Sequence, residues 1–545
     1  MRAPRSRTGA SPRAGPRLLA YLPPTAVICG ATVMMVEVLG ARLIGPFFGV
    51  SLFVWTALIG VTLVALALGC FIGGLAADRV ESPDYLYAAI ILAGVLVAAI
   101  PLLEAPVLKA SVPLGLRAGA LASALCLFAP ALVLLGAVSP WLLRIAAHEV
   151  HSLGRIAGGL YGLSTLGSLA GTLATGFFLI GVLGVHRIFQ LGGTALIALG
   201  VLYFLWYRRK WAVSAALAWP LLVAIPAAPV ERQMSDGTRV RLVHSRDSFY
   251  GSVKVVDYVH ATTHTRELII DGLVQGGMDL RSGQSVYEYA YLLEHLPLRL
   301  HPLGRRCLVI GLGAGLVPRS YLARGIETHA VDIDPEVVAA ARTWFALDPG
   351  ITVFVADARY HLASTRARYD YVVLDVFNGD TTPGHLLSRE AMQLIRARLT
   401  ERGVLAVNLV GDIGPDGAMT ASVVRTLREV FERVQVHPAF EPERDGPVGN
   451  LVLVAQSGPA PAVRAQEAVP VHSLAQRGVH YGLAHQVEPQ AWAQSMVLTD
   501  DFNPIDLRDL ALKERVRRRI LDTTHWDVLL ARAPGPRELT RTDVQ

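Results

Sequence analysis

Three acids, each closing a short apolar run, are the residues of this chain best placed to do chemistry: Asp332, Asp357 and Asp375. The run Leu308–Ile310, just before them, enters a turn with glycines at 311, 313 and 315. Such glycines let the backbone bend tightly and approach a ligand, and an acid about 20 residues further on can take both hydroxyls of a ribose. Gly311, Gly313, Gly315 and Asp332 therefore read as a site for an adenosine-type ligand. Asp357-Ala358 follows the third apolar run, where an acidic side chain can reach an adenine amino group; Asp357 reads equally well as a helix cap. Asp375 ends the run YVVLD and precedes a turn-rich stretch, Phe377 to Gly384, that includes Asp380. A carboxylate at that strand end can hold a cationic substrate or accept its proton.

The elements that must position these acids follow from patterning. From Arg305 onward, strands are expected at Cys307–Ile310, Glu327–Val331, Thr352–Val355, Tyr371–Leu374 and Val404–Val410, with a late pair near Val434–His437 and Leu451–Ala455. Strands alternating with helical segments make an open, largely parallel α/β sheet, with ligands beyond the carboxyl ends of its strands. Before it, residues 231–302 carry alternating strands at Val240–Val243, Gly251–Val256 and Glu267–Ile270, a small β subdomain. A basic helical segment at Leu510–Leu521 reads as a solvated face, and Asp500-Asp501 reads either as acids returned to the site or as a helix cap.

The first 230 residues are of another kind. Mean hydropathy over the 545 residues is +0.42 with only 17% charged residues, too apolar for a wholly soluble chain, although length alone allows about three or four domains. A bilayer-spanning helix needs about 20 apolar residues. Candidate spans are Leu22–Pro46, Ser51–Leu75, Tyr85–Leu103, Ala118–Val138, Ile156–Leu183, Ile188–Trp206 and Trp211–Ala228, seven in all. The net charge of +6 includes an arginine-rich tail over residues 1–20, which reads as a cytoplasmic anchor rather than a nucleic-acid arm. Gly158, Gly162, Gly167 and Gly171 are expected to allow close helix packing. Glu37 is the one carboxylate expected deep in a span, either a functional group or half of an internal pair. Asp78-Arg79 resembles a short loop signature of major facilitator transporters, too common a pattern to argue transport. The four cysteines have no zinc-like or disulfide-like spacing and are expected as small buried hydrophobes. Seven spans from an inside N-terminus would leave the following domain outside, whereas adenosyl metabolites are cytoplasmic; the sequence leaves both sides open.

The soluble half resembles the spermidine synthases and related aminopropyltransferases over roughly Ser248 to Leu409. The matching pieces keep their order: Ser248-Phe249-Tyr250-Gly251; Leu268-Ile269-Ile270-Asp271-Gly272 with Gln275; Tyr289, eight residues before Pro297; Asp332-Ile333-Asp334; Asp357; and Asp375. With the apolar half included, the chain resembles membrane-fused spermidine synthase-like proteins. That likeness implies a multi-pass α-helical membrane domain (residues 21–230) followed by an α/β Rossmann-like domain of the S-adenosylmethionine-dependent transferase type (residues 303–545). It implies Asp375 as the catalytic acid, Gln275, Gly311, Gly313, Gly315, Asp332, Asp357 and Ala358 around the co-substrate, and Asp271, Tyr289 and Asp380 around the amine. The co-substrate implied is decarboxylated S-adenosylmethionine, with no metal. Expected partners are a small-molecule amine and the lipid bilayer, with room for a homo-oligomer and no nucleic acid; the location is the cell membrane, with the soluble domain cytoplasmic. The sequence departs from the family at Ala314, where an aspartate usually binds the aminopropyl amine, at Ser285-Val286, where an Asp-Glu pair is usual, and at Asn378. Ala314 keeps ordinary S-adenosylmethionine, and hence methyl transfer, open as an alternative, beside a transport or sensing protein with a non-catalytic nucleotide-binding domain.

Overall fold

The computed structural model describes residues 16–49, 52–80, 82–146, 153–208, 231–234, 236–377, 382–458, 470–505, 510–523 and 530. The chain divides into two compact units, one holding Leu52–Pro226 with the preceding N-terminal residues, the other Ala227–Gln545.

The first unit is helical: α1 (Pro16–Phe48), α2 (Leu52–Arg79), α3 (Pro83–Ser111), α4 (Gly115–Leu127), α5 (Ala129–Gly136), α6 (Val138–Ala146), α7 (Leu153–Ala174), α8 (Ile180–Leu183) and α9 (Val185–Tyr203). Among the described residues, six helical stretches are long and apolar enough to cross a membrane. The expected fourth span, Ala118–Val138, is divided between α4 and α5, and Trp211–Ala228 lies outside the described residues. The Tyr207 hydroxyl donates to the Arg17 carbonyl, and that of Tyr21 to the Leu199 carbonyl at 2.7 Å. The end of α9 and the turn that follows it thus lie at the end of the unit where α1 begins.

Lipid tails are as apolar as leucine, so such helices associate by close packing rather than by the hydrophobic effect. Gly167 and Gly171 of α7 supply it: a methyl group at either would collide with, or lie 2.5 Å from, the carbonyl oxygens of Val27 and Ala31 on α1. Gly94 and Gly193 bring α3 and α9 together in the same way. Gly158 and Gly162, expected to do likewise, face open space. Glu37 is not the one acid within these helices. Glu104 of α3 is only 6% exposed and lies 2.6 Å from Nε2 of His186 on α9; it follows immediately on the expected end of its span. Of the cysteines, Cys29 and Cys307 are buried, but Cys70 and Cys126 lie on exposed faces.

The second unit holds two sheets. Strands β1 (Glu231–Gln233), β2 (Arg239–Asp247), β3 (Ser252–His260), β4 (Thr263–Ile270) and β5 (Leu273–Asp279) form an antiparallel meander. After α10 (Glu288–Leu300), a seven-stranded sheet is built from β6 (Arg306–Ile310), β7 (Glu327–Asp332), β8 (Thr352–Val355), β9 (Tyr369–Leu374), β10 (Leu399–Asp412), β11 (Arg433–Pro438) and β12 (Val448–Gln456), in the order β11-β12-β10-β9-β6-β7-β8. Five strands are parallel; β12 runs antiparallel to both neighbours. This is a Rossmann-like sheet with a reversed hairpin at one edge. Val253, Val255, Leu268 and Met278 of the meander share one apolar cluster with Leu312, Ala330 and Val338, so the small sheet packs directly on the glycine turn. The basic C-terminal helix (Leu510–Thr523) is not a solvated face. Arg517 is fully buried and donates to the Asp271 carbonyl at 3.2 Å, while Arg515 pairs with Asp412 at 2.6 Å.

Gly167→Leu should therefore destabilise the purified protein strongly, with thermal melting in detergent several degrees lower or no folded material recovered. Gly158→Leu and Gly162→Leu should melt within a degree or two of the parent.

Candidate active site

The parallel register brings the strand ends together. The Asp375 amide donates to the Ile310 carbonyl at 2.8 Å, and the Ala356 amide to the Asp332 carbonyl at 3.0 Å. The glycine turn after β6 is pressed into this edge. Gly311, at φ +89°, leaves no room for a methyl group against the Asp375 carbonyl, and a methyl at Gly313 would lie 2.6 Å from the Gln275 carbonyl. Gly315, in the left-handed region, starts α11 (Leu316–Ala323), whose first turn presents amides to an anionic or polar ligand.

Asp332 accepts the Leu312 amide on Oδ2 and the Asp334 amide on Oδ1, each at 2.9 Å. A carboxylate oxygen has two acceptor directions, so each retains one for a ribose hydroxyl. Burial raises the acid to about 6, outweighing the backbone donors that act in the opposite direction. Asp334 caps α12 (Pro335–Trp344) through the Glu336 amide and accepts a 2.5 Å bond from the Ser248 hydroxyl. That bond ties the β2–β3 loop, with exposed Phe249 and Tyr250, to the same edge.

Asp375 is half-buried, and its desolvation raises it to about 6 as well, against the opposing effect of Asn408. Asn408 Nδ2 donates to Asp375 Oδ1 at 2.8 Å, and Asn450 Nδ2 donates to Asn408 Oδ1 at 3.0 Å. The two asparagines orient one oxygen and leave the other for a substrate. Tyr289, at the start of α10, lies close enough for the Asp375 charge to raise its hydroxyl pKa, although burial is the larger cause.

The β4–β5 hairpin completes the near wall. Its register shifts between Leu268 and Ile269, leaving Gln275 as an extra residue that turns the chain toward Gly313; bulges of this sort recur beside active sites. A methyl at Gly276 would meet the Ala314 methyl at 3.2 Å and the Tyr289 hydroxyl at 3.7 Å, so Gln275, Gly276, Tyr289 and Ala314 are neighbours. Ala314 itself is buried. Asp271 stands apart from them, in the two-residue turn joining Ile270 to Leu273. Its φ is +47°, and its Oδ1 accepts the Ser252 amide at 2.9 Å.

Asp357 caps α13 (Ala358–Ser364) by accepting the Tyr360 amide at 2.9 Å, and its other oxygen lies 3.9 Å from His385. The cap occupies only one of its two oxygens. Asp380 lies outside the described residues. Asp500 is held by a side chain of α13. Arg359 binds it with two 2.7 Å hydrogen bonds and holds it down to about 2, which fastens the C-terminal segment to α13. Sequence reasoning missed Asn408, Asn450 and Glu267; the last accepts a 2.6 Å bond from the Tyr287 hydroxyl. Asn408 and Asn450 sit in apolar strands, where a buried amide needs a partner, and that was the available signal.

Residues 287–454 match the spermine/spermidine synthase domain. The chain is 33% identical over 180 residues to an N-terminal histidine N-methyltransferase of Emericella nidulans, covering 32% of this chain and 32% of that protein. It is 29% identical over 223 residues to a polyamine aminopropyltransferase of Vibrio vulnificus, covering 38% and 72%. It is 31% identical over 190 residues to polyamine aminopropyltransferase 2 of Pseudomonas aeruginosa, covering 33% and 53%. The chain thus spans less than two thirds of the first and third of these proteins.

Two outcomes follow from the acids. Asp332→Asn should weaken binding of an adenosyl ligand by roughly 10- to 100-fold in calorimetry, the scale of one charge-assisted hydrogen bond lost. Asp375 is raised from 3.8 to about 6, so the fold favours its protonated form. That contribution is complete below 3.8 and is lost as pH rises through about 6. Asp375→Asn should then stabilise the apo protein by roughly 1–3 kcal/mol at pH 7.5 and leave it unchanged near pH 3.5, read as thermal melting at both values.

Proposed function

We propose that this protein is a membrane-bound aminopropyltransferase that moves the aminopropyl group of decarboxylated S-adenosylmethionine to a small amine. The observation that carries the reading is the oriented, partly open Asp375 carboxylate at the end of β9, beside a glycine turn and a ribose-type acid. The synthase-domain match and the relatives named as aminopropyltransferases support it.

In this reading Gly311, Gly313, Gly315 and Asp332 hold the adenosyl part, with Asp357 and Ala358 at the adenine and the Gln275 bulge against the turn. An aliphatic amine is mostly protonated at neutral pH and cannot attack in that form. Asp375, ionised above about 6, holds the ammonium and draws off one proton, which passes to solvent. The freed nitrogen lone pair forms a bond to the propyl carbon next to the sulfonium. The carbon–sulfur bond breaks with its electrons going to sulfur, which leaves as a neutral thioether. Tyr289, within reach of the Asp375 charge, orients the amine. Alignment of nitrogen, carbon and sulfur supplies much of the acceleration, and no metal is required. Asp271, from the hairpin tip, acts on the wall of the site through the Ser252 amide.

A second reading, methyl transfer from S-adenosylmethionine itself, is favoured by one observation. Ala314 places a methyl group, not a carboxylate, in the turn, so nothing there opposes a methionine carboxylate. The relative named as a histidine N-methyltransferase is consistent with it. For location, we assign the unit to a multi-pass protein of the cell membrane with the synthase domain on the cytoplasmic side, where adenosyl metabolites are made.

Mass spectrometry of products from an amine panel with each co-substrate separates the two readings. Aminopropyl transfer predicts products 57 Da heavier per transfer, formed with the decarboxylated form only; methylated products would overturn it. Asp375→Asn should lower kcat by about 10²- to 10⁴-fold, the range of a lost general base, with adenosyl binding retained. Protease accessibility in sealed vesicles of known orientation tests the cytoplasmic assignment; cleavage from the outer side would contradict it.

A further inference from the structure

The match to the synthase domain ends at residue 454, yet the chain beyond it follows the carboxyl edge of the large sheet. Asp500 is bound by Arg359 of α13, which comes after β8. Asn503 Nδ2 donates to the Gly384 carbonyl at 2.7 Å, and a methyl at Gly384 would meet Ile505 at 3.0 Å. Gly384 lies in the connection that leaves Asp375. The C-terminal helix (Leu510–Thr523) reaches two further places. Arg515 pairs at 2.6 Å with Asp412, which ends β10, the strand that carries Asn408. Arg517 donates to the Asp271 carbonyl at 3.2 Å, at the tip of the β4–β5 hairpin.

Side chains two residues apart leave a helix on nearly opposite sides, so Arg515 and Arg517 hold this helix between the end of β10 and the hairpin tip. Arg517 is fully buried. A guanidinium taken out of water is costly unless its donors are met, so seating the helix and fixing the tip go together. From the tip, contacts lead to the adenosyl side of the site. The Asp271 amide donates to the Ser252 carbonyl at 3.2 Å, and Asp271 Oδ1 accepts the Ser252 amide at 2.9 Å. These bonds fix the start of β3 and the loop whose Ser248 hydroxyl binds Asp334. At the other end of the turn, the Gln275 carbonyl lies 2.6 Å from where a methyl at Gly313 would stand.

We infer that the C-terminal helix is a clasp that sets the affinity of the adenosyl site. Arg517 is a positioning residue that acts through the Asp271 turn, and Arg515 anchors the helix from β10. This rests on the adenosyl-binding part of the aminopropyl-transfer reading.

The test compares the full chain in detergent with Arg515→Gln, Arg517→Lys and the double variant, each checked for folding by thermal melting. Arg515 is solvent-exposed, so its variant serves where the change at the buried Arg517 melts early. Hydrogen exchange, read without ligand, is the first measurement. Arg515→Gln removes a contact to β10, yet it should speed exchange over residues 269–275 by about tenfold or more and leave β6 and β7 unchanged. The second is calorimetry with 5′-methylthioadenosine, the thioether that aminopropyl transfer leaves. Each single variant should bind it about 5- to 30-fold more weakly, with kcat at saturation within about threefold of the parent. The double variant should bind no more than about twofold more weakly than the worse single one, because both changes release one helix. Unchanged hairpin exchange in folded variants, losses that multiply in the double variant, or a lowered kcat with affinity intact would each overturn the clasp. Failure of the parent to bind the thioether would overturn the adenosyl site itself and with it the clasp's effect on affinity.

Discussion

A methyl group at residue 311 would collide with the Asp375 carbonyl, so the turn after β6 can lie against the end of β9 only because that residue is glycine. The consequences spread outward from this contact. It sets the ribose-type acid Asp332 and the acid Asp375 on the same edge, one strand apart on either side of β6. It brings the Leu312 amide within 2.9 Å of Asp332, so the turn and the acid brace each other. It also exposes the outer side of the turn to the Gln275 bulge, which carries the whole β4–β5 hairpin, Tyr289 and Glu267 into the neighbourhood. Close backbone approach of this type cannot be recovered by side-chain adjustment, since the atoms in contact are main-chain atoms on both sides.

The electrostatic design has one theme. Asp332 and Asp375 are each pushed upward by desolvation and each held by neutral donors, namely backbone amides and Asn408. The acids bound to arginines lie elsewhere. Asp257 with Arg266, Asp412 with Arg515 and Asp500 with Arg359 fasten elements together. An acid oriented by neutral donors keeps an unsatisfied preference for a positive charge, whereas one bound to arginine has spent it. The distinction separates the residues available to a cationic ligand from those that hold the fold.

Much of this was legible in the sequence, for physical reasons. The glycine turn and the acids at strand ends follow from hydrophobic runs and their punctuation, and β8 is found where the pattern places it. The long apolar helices of the first unit follow from the length and apolarity of their runs. What was illegible depended on which residues meet across the fold. Glu267 sits in the alternating stretch Thr263–Ile270 and reads as an ordinary polar position; only the register with Gly277 shows it facing inward. Arg517 belongs to a basic helix whose composition suits solvent, yet it is buried against the hairpin turn. Gly158 and Gly162 have the same spacing as the packing pair Gly167 and Gly171, and periodicity cannot tell which pair meets a neighbour. Asp271 carries the family-like motif, but its positive φ and its bond to the Ser252 amide place it in a turn.

The central claim is that Asp375 is a poised carboxyl that meets the ammonium of the acceptor. Its titration can be observed directly by infrared difference spectroscopy of the carboxyl band, the parent spectrum minus that of Asp375→Asn, over pH 3 to 9. The account predicts a midpoint near 6 that moves downward when 1,4-diaminobutane is added, because a bound cation favours the ionised form. A midpoint at the ordinary aspartate value, unmoved by the amine, would contradict it.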